Sequence, residues 1–162
     1  MRKLYYTVDI DRDVNIQIPG REAAGSIDRG AGTAPRFSSS ERGLGIILDM
    51  LDDLGIRGTL FFEGRTAETV DCSRAAGHAV GVHGYDHEDL SALGDDRLEQ
   101  VVTRAWNAVS DSVGTPTCSR APYMSADGRV LGAFRMHGSR ADSSMYTPIG
   151  GSTEPFEQEG IL

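Results

Sequence analysis

His83 and His87 stand four residues apart in Gly81-Val82-His83-Gly84-Tyr85-Asp86-His87-Glu88-Asp89-Leu90, directly after the apolar run Ala79-Val80-Gly81-Val82. On a helical turn that spacing stacks both imidazoles on one side, near enough for two nitrogens to reach one metal ion. A strand feeding straight into such a turn fixes the pair at its carboxyl end, where α/β folds build their sites. Two ligands do not make a metal site, and two surface histidines on a polar turn are the plainer alternative. A third ligand, best a carboxylate, must come from elsewhere. Leu4-Tyr5-Tyr6-Thr7-Val8 reads as a strand that runs into Asp9-Ile10-Asp11. Alternation puts Asp9 and Asp11 on one face, where two carboxylates repel unless a cation or a proton sits between them. A cation held by one leaves the other to act as a base. The same aspartates could simply start a loop or cap a turn, and Asp13, two residues on, competes for the role.

The elements that must position these groups alternate. After a first strand over 3–9, residues 12–38 form a long connection rich in Gly, Arg and Ser, with Ile16-Gln17-Ile18 as a short strand inside it. A connection of that length is usually functional or mobile, and it lies beside the aspartates. Ser38-Ser39-Ser40-Glu41 reads as a helix-capping sequence, Leu44, Ile47, Leu48, Leu51 and Leu54 as the core stripe of the helix, and Gly55 as its left-handed end. A strand over 58–62, a helix from Thr66 to Ala76 ended by Gly77, and the strand over 79–82 follow. Leu98, Val101, Val102, Ala105, Trp106 and Val109 define a third helix, with Trp106 on its core side. Gly114 and Pro116 break the chain before a short strand, Thr117-Cys118-Ser119, that leads to Arg120. A fourth helix spans about 127–137, a last strand about 139–143, and a Gly- and Pro-rich tail, loose or extended, follows from Thr147. Asp142, which opens Asp142-Ser143-Ser144, is either a site residue with no step assigned to it or a strand-end cap, His137 reads as a helix-end residue and His78 as structural. Five strands alternating with four helices predict a parallel sheet with right-handed helical crossovers, an α/β fold in one domain over 1–162.

Thr7-Val8-Asp9-Ile10-Asp11, His83-Gly84-Tyr85-Asp86-His87 and Arg120-Ala121-Pro122-Tyr123 resemble, in order and setting, the first three motifs of the polysaccharide deacetylases, the NodB-homology carbohydrate esterases of family 4. The resemblance covers residues 4 to about 146, and the Asp-x-Asp form is similar to the branch that holds peptidoglycan deacetylases of cytosolic type and allantoinase-like amidohydrolases. It implies a distorted, incomplete (β/α) barrel and the hydrolysis of an N-acetyl amide on a chitin- or peptidoglycan-like amino sugar. It also implies one divalent ion, zinc first among zinc, cobalt, nickel and iron, held by Asp11, His83 and His87. Asp9 would be the general base, Arg120 would hold it, Pro122 and Tyr123 would shape the substrate groove, and the Tyr123 backbone N–H would meet the oxyanion. The family's last strands, with the histidine that protonates the leaving amine, are not recognised. Solvent, a loop residue or a partner chain would then supply that proton, and a second copy would cover the open sheet edge. Two other functions stay in play: a non-catalytic relative that keeps metal and sugar affinity, and an amidohydrolase on a small non-sugar amide, discriminated by a panel that includes cyclic ureides and imides.

Composition bounds the partners. A net charge of −8 over 162 residues and a pI near 4.9 argue against nucleic acid or an anionic membrane surface. No apolar run is long enough to span a bilayer. Met1-Arg2-Lys3 leads straight into a strand, unlike a cleavable signal, and Cys72 and Cys118 lie in different elements, as reduced thiols of a cytoplasmic protein would.

Overall fold

The computed structural model of the chain describes residues 5–13, 35–146, 151 and 154–162. Most of the long connection, including Ile16-Gln17-Ile18, lies outside the described residues. Five strands form one parallel sheet in sequence order, β1 (Thr7–Ile10), β2 (Thr59–Phe62), β3 (Ala79–Val82), β4 (Cys118–Ser119) and β5 (Ala141–Asp142). The helices between them are α1 (Ser38–Leu54), α2 (Gly64–Thr69), α3 (Asp95–Ser112) and α4 (Gly128–Met136). This is the expected alternation. The five strands do not close a barrel, and among the described residues no strand pairs with the outer edge of β1.

Strand alternation divides the sheet into two faces with different tasks. Ile10, Leu60, Phe62, Val80 and Val82 point to the helices and join Leu44, Leu48, Val102, Trp106, Val109 and Phe134 in one buried core. Thr7, Asp9, Thr59 and Phe61, and Gly81 beside them in register, belong to the other face. There a cavity of about 450 Å³ is lined by Thr7, Phe61 and Cys118 and walled by Phe156 and Ile161 of the tail.

Local chemistry explains the departures from expectation. The three serines do not cap α1 by their side chains: Phe37 is its N-cap residue and makes no side-chain cap bond. Ser38 donates instead to the Asp13 carboxylate at 2.9 Å, and Ser40 donates to the Asp11 carbonyl. The serine run therefore ties the helix to the end of β1. Leu54 ends α1 exposed rather than in the core. The single helix expected from Thr66 to Ala76 is two pieces, because Val70 is extended and the Asp71 carboxylate accepts the Ser73 N–H at 3.0 Å, starting a separate 3-10 turn over Ser73–Gly77. The described end of the tail is docked on the sheet. Glu159 and Gly160 both have positive φ (52° and 74°), the conformation of a two-residue hairpin turn. That turn buries Ile161 in the core, and Leu162 exchanges backbone bonds with Arg140 and Asp142 along the edge of β5. This part of the expected open edge is thus covered by the chain itself.

Gly81 is where the sheet feeds the site. A Cβ there would stand 2.4 Å from Phe61 Cδ1 and 2.9 Å from Cys118 Sγ, so only glycine lets the Phe61 ring lie flat across β3. Gly81→Ala is expected to cost about 1–3 kcal/mol through overpacking. Urea denaturation would show the midpoint falling, and an unchanged midpoint would refute this account of Gly81.

Candidate metal centre

The two histidines meet without a helix. Residues 83–89 are an irregular bend, in which Gly84 (φ 70°) and His87 (φ 55°) are left-handed. The expected helical turn is therefore wrong, although the rings do converge, edge to face with centroids 5.1 Å apart. Three supports shape the bend. The first turn of α2 donates its N–H groups to it, Gly64 to the Gly84 carbonyl at 2.9 Å and Arg65 to the Tyr85 carbonyl at 3.0 Å. The Glu88 carboxylate accepts the N–H groups of Tyr85 and Asp86 at 3.1 and 2.8 Å. Pro122 packs on Gly84 so closely that a Cβ there would lie 2.9 Å from its ring.

Asp11, just past the end of β1, reaches both rings. Its Oδ1 is 3.6 Å from His83 Nε2 and its Oδ2 is 3.6 Å from His87 Nε2. One ligand atom from each of Asp11, His83 and His87 lies within 4.8 Å of the other two. The donor set fits a divalent cation on three counts. Asp11 Oδ1 is buried without a hydrogen-bond partner, an orphaned anionic atom that a cation would satisfy. The ligand types are those of an open two-histidine, one-carboxylate site. Lastly, His83 Nδ1 lies 2.8 Å from the Arg120 carbonyl, which can only accept, so the proton sits on Nδ1 and the Nε2 lone pair faces Asp11. Asp13 is turned away toward Ser38 and does not join the group.

Asp9 sits beside the three. Its Oδ2 is 4.0 Å from His83 Nε2, and its Oδ1 accepts from Arg120 Nη1 at 2.6 Å. Arg120 is itself fully engaged. Nη2 donates to Thr7 Oγ1 at 2.9 Å and to Ser143 Oγ at 2.8 Å, and the guanidinium lies over the Phe61 ring, 4.2 Å from its centroid. Asp142-Ser143-Ser144 proves to be the frame of this corner. Asp142 accepts from Ser119 at 2.7 Å and from the Ser144 N–H at 2.8 Å, and Ser144 Oγ accepts from the Ala121 N–H at 2.7 Å. Tyr123 is buried and left-handed (φ 59°), with its ring against the edge of His87 at 4.6 Å.

Two histidines stay outside, as expected. His78 Nδ1 accepts the Gly58 N–H at 3.1 Å, and His137 contacts Glu99 and Thr103 of α3 at 3.2 and 3.1 Å. Arg12, Glu63, Asp86 and Glu88 surround the centre and were not singled out from sequence. Glu63 carried a signal, a charged residue directly after the apolar strand Leu60-Phe61-Phe62.

Burial pushes the Asp11 carboxyl up to about 6, against the pull of His83 and with the help of the Asp9 charge. Burial likewise pushes His87 down to about 3, and the charges of His83 and Arg12 act the same way. Glu63 rises to about 7 by burial, although bonds from Thr66 and Arg12 oppose it.

The chain has known relatives. The family model for polysaccharide deacetylase matches residues 38–141. A chitin deacetylase of Colletotrichum lindemuthianum is 34% identical over 98 residues, 53% of this chain and 39% of that protein. A peptidoglycan deacetylase of Helicobacter pylori is 27% identical over 147 residues, 86% of this chain and 48% of that protein. Among solved structures, a candidate polysaccharide deacetylase from Mycobacterium smegmatis superposes with a TM-score of 0.67 at 24% identity, covering 87% of this chain and 50% of that one. The last likeness concerns the fold, and this chain spans half the length of these proteins or less. Among the described residues no helix is long and apolar enough to cross a membrane.

The pH dependence of cation uptake follows from the two shifted ligands. Holding a cation requires Asp11 ionised and His87 neutral. His87, at about 3, stays neutral through mild acid, whereas Asp11 takes up a proton below about 6. Zinc affinity should therefore fall below that value, approaching about tenfold per pH unit in stronger acid, as read by competition with a chromophoric chelator; constant affinity down to pH ~5 would contradict it. A carboxyl whose folded pKa is raised contributes stability at low pH that is lost as pH rises through that pKa. In the metal-free chain the two ligands act oppositely between about pH 4 and 6, Asp11 losing its contribution as pH rises and His87, held neutral by the fold, gaining one, so together they should leave the urea midpoint nearly level there, and zinc should raise it.

Proposed function

Since the chain belongs to the polysaccharide deacetylase family, we propose that it hydrolyses the N-acetyl amide of an amino-sugar polymer of the chitin or peptidoglycan kind, using one divalent cation, zinc first, held by Asp11, His83 and His87. The observation that carries this reading is the convergence of those three ligands next to an aspartate clamped by an arginine. The relatives named as chitin and peptidoglycan deacetylases support the substrate class.

A divalent cation at such a set polarises the amide carbonyl and lowers the pKa of water beside it. The chain's own groups do the rest. Asp9 takes the proton of the attacking water on Oδ2, the oxygen nearer His83, while Arg120 holds Oδ1 and fixes the direction of the carboxylate. The proton for the departing amine would come from solvent, a loop residue or a partner chain. His83 is kept in the ligating tautomer by the Arg120 carbonyl, so one residue orients both base and ligand. Pro122 and Tyr123 wall the approach to the acetyl group. The Tyr123 backbone N–H serves as oxyanion donor, a contribution of about 3 kcal/mol where such donors have been removed. A reducing compartment such as the cytoplasm suits the two free thiols of Cys72 and Cys118.

The test is acetate release from chitin oligomers and from peptidoglycan fragments by the zinc-loaded chain. Asp9→Asn is expected to keep its zinc and lose about 10²- to 10⁴-fold in turnover. His83→Ala is expected to lose both. Zinc retained in His83→Ala would sink the ligand assignment; a zinc-loaded parent chain releasing no acetate would sink the catalytic one.

A further inference from the structure

Two ligands of the proposed centre each have a neighbour in sequence that takes part in a second, separate constellation. Arg12 follows Asp11, and Asp86 precedes His87. Arg12 Nη1 donates to Asp86 Oδ1 at 2.9 Å and Nη2 donates to the Asp86 carbonyl. The Arg12 backbone N–H donates to Glu63 Oε2 at 2.9 Å, and Arg12 Nε lies 3.2 Å from Glu63 Oε1. Glu63 is fully buried at the end of β2, where Thr66 Oγ1 donates to Oε2 at 2.5 Å. Asp86 is gripped from its other side by Arg65, whose Nη2 donates to Oδ2 at 2.6 Å. One arginine thus joins three chain segments: the end of β1, the end of β2 and the histidine bend.

A guanidinium is suited to this and an ammonium is not. Its planar fork presents several donors in fixed directions, so it can bind a carboxylate and a carbonyl of one residue while its Nε faces another carboxylate. The side chain is about one-fifth exposed and its Glu63 partner is wholly buried, so the link is not one of the solvent-screened surface pairs that contribute little.

We propose that Arg12 is a positioning residue for the metal centre: by clasping Asp86 and Glu63 it sets the distance between Asp11 and His87. The inference rests on the ligand assignment proposed above. Asp11 and His87 come from segments two strands apart, and burying a carboxylate with one oxygen unbonded carries a desolvation penalty that a cation would offset. The clasp holds the ligands at cation spacing beforehand, which raises affinity by removing the cost of assembling them.

The experiment measures zinc affinity by competition titration, together with the visible spectrum of the cobalt-loaded chain and the urea midpoint of the metal-free chain. Four proteins are compared: parent, Arg12→Ala, Arg12→Lys and Arg74→Ala. Arg74 makes an exposed pair with Asp49 far from the centre and serves as the control. Arg12→Ala is expected to bind zinc about 10- to 100-fold more weakly and to show an altered cobalt spectrum at saturation. Arg12→Lys should recover only part of the loss, and Arg74→Ala should match the parent. If Arg12→Ala does not fold, Asp86→Asn replaces it, keeping the size of the side chain while removing the charge that Arg12 grips; a loss of at least about fivefold in zinc affinity is then expected. A parent that binds zinc while the folded variant binds it equally well, with an unchanged cobalt spectrum, overturns the clasp alone. A parent that takes up no zinc overturns the ligand assignment beneath it.

Discussion

A carboxylate wedged between two buried imidazoles is the constraint on which the rest of this molecule depends. Asp11 has one oxygen with no solvent and no hydrogen-bond donor, and its proton affinity is raised by that burial. Left alone, such a group would protonate or swing out. Instead the chain holds it: Ser40 bonds its carbonyl, and the next residue is locked by Glu63 and Asp86. Structure built to keep an uncompensated charge in place is intelligible when a cation supplies the compensation.

The second carboxylate is treated in the opposite way. Asp9 is paired with an arginine that is itself tied to Thr7, Ser143 and Phe61. The fixed guanidinium dictates which of the Asp9 oxygens remains for chemistry. Two aspartates, two residues apart, thus have different partners because one lies within β1 and the other just beyond it. The division of labour is set by where a strand ends.

Much of this was legible in the sequence, and the failures are local. The β-branched and aromatic run Leu4–Val8 and the apolar run Ala79–Val82 ahead of the histidine pair located strands and site, because strands buried in a sheet are written in such residues. The histidine bend was misjudged as helical, since i, i+4 spacing matches a helix but Gly84 and His87 in left-handed conformation bring the rings together as well. The break in the second helix comes from one Asx turn at Asp71, and helix propensity is blind to that. Docking of the tail depends on Ile161 finding the core, a tertiary event. Arg12 and Glu63 escaped notice because a charged residue beside a motif looks the same whether it is solvated or buried. The family match begins at residue 38, so neither aspartate lies within it; their place in the centre rests on the motif's order and on the geometry.

The sheet order explains why a clasp is needed at all. Asp11 extends β1 and the histidines extend β3, with β2 between them. Adjacent strands lie about 4.8 Å apart, so the two ends start roughly 10 Å from each other. The ligand atoms nevertheless approach within 4.8 Å. Both segments must therefore lean over the end of β2, where Gly64 and Arg65 donate to the carbonyls of Gly84 and Tyr85 on one side and Glu63 must bond the other. A long apolar side chain at 63 would leave the Arg12 N–H unbonded, and a short polar one would not reach it. Glu63 reaches, accepting the Arg12 N–H while Thr66 holds its carboxyl from behind, and the glycine that follows it leaves room for Tyr85, whose ring a Cβ at Gly64 would meet at 2.7 Å. The middle strand contributes no ligand, but its last residues let the outer two meet.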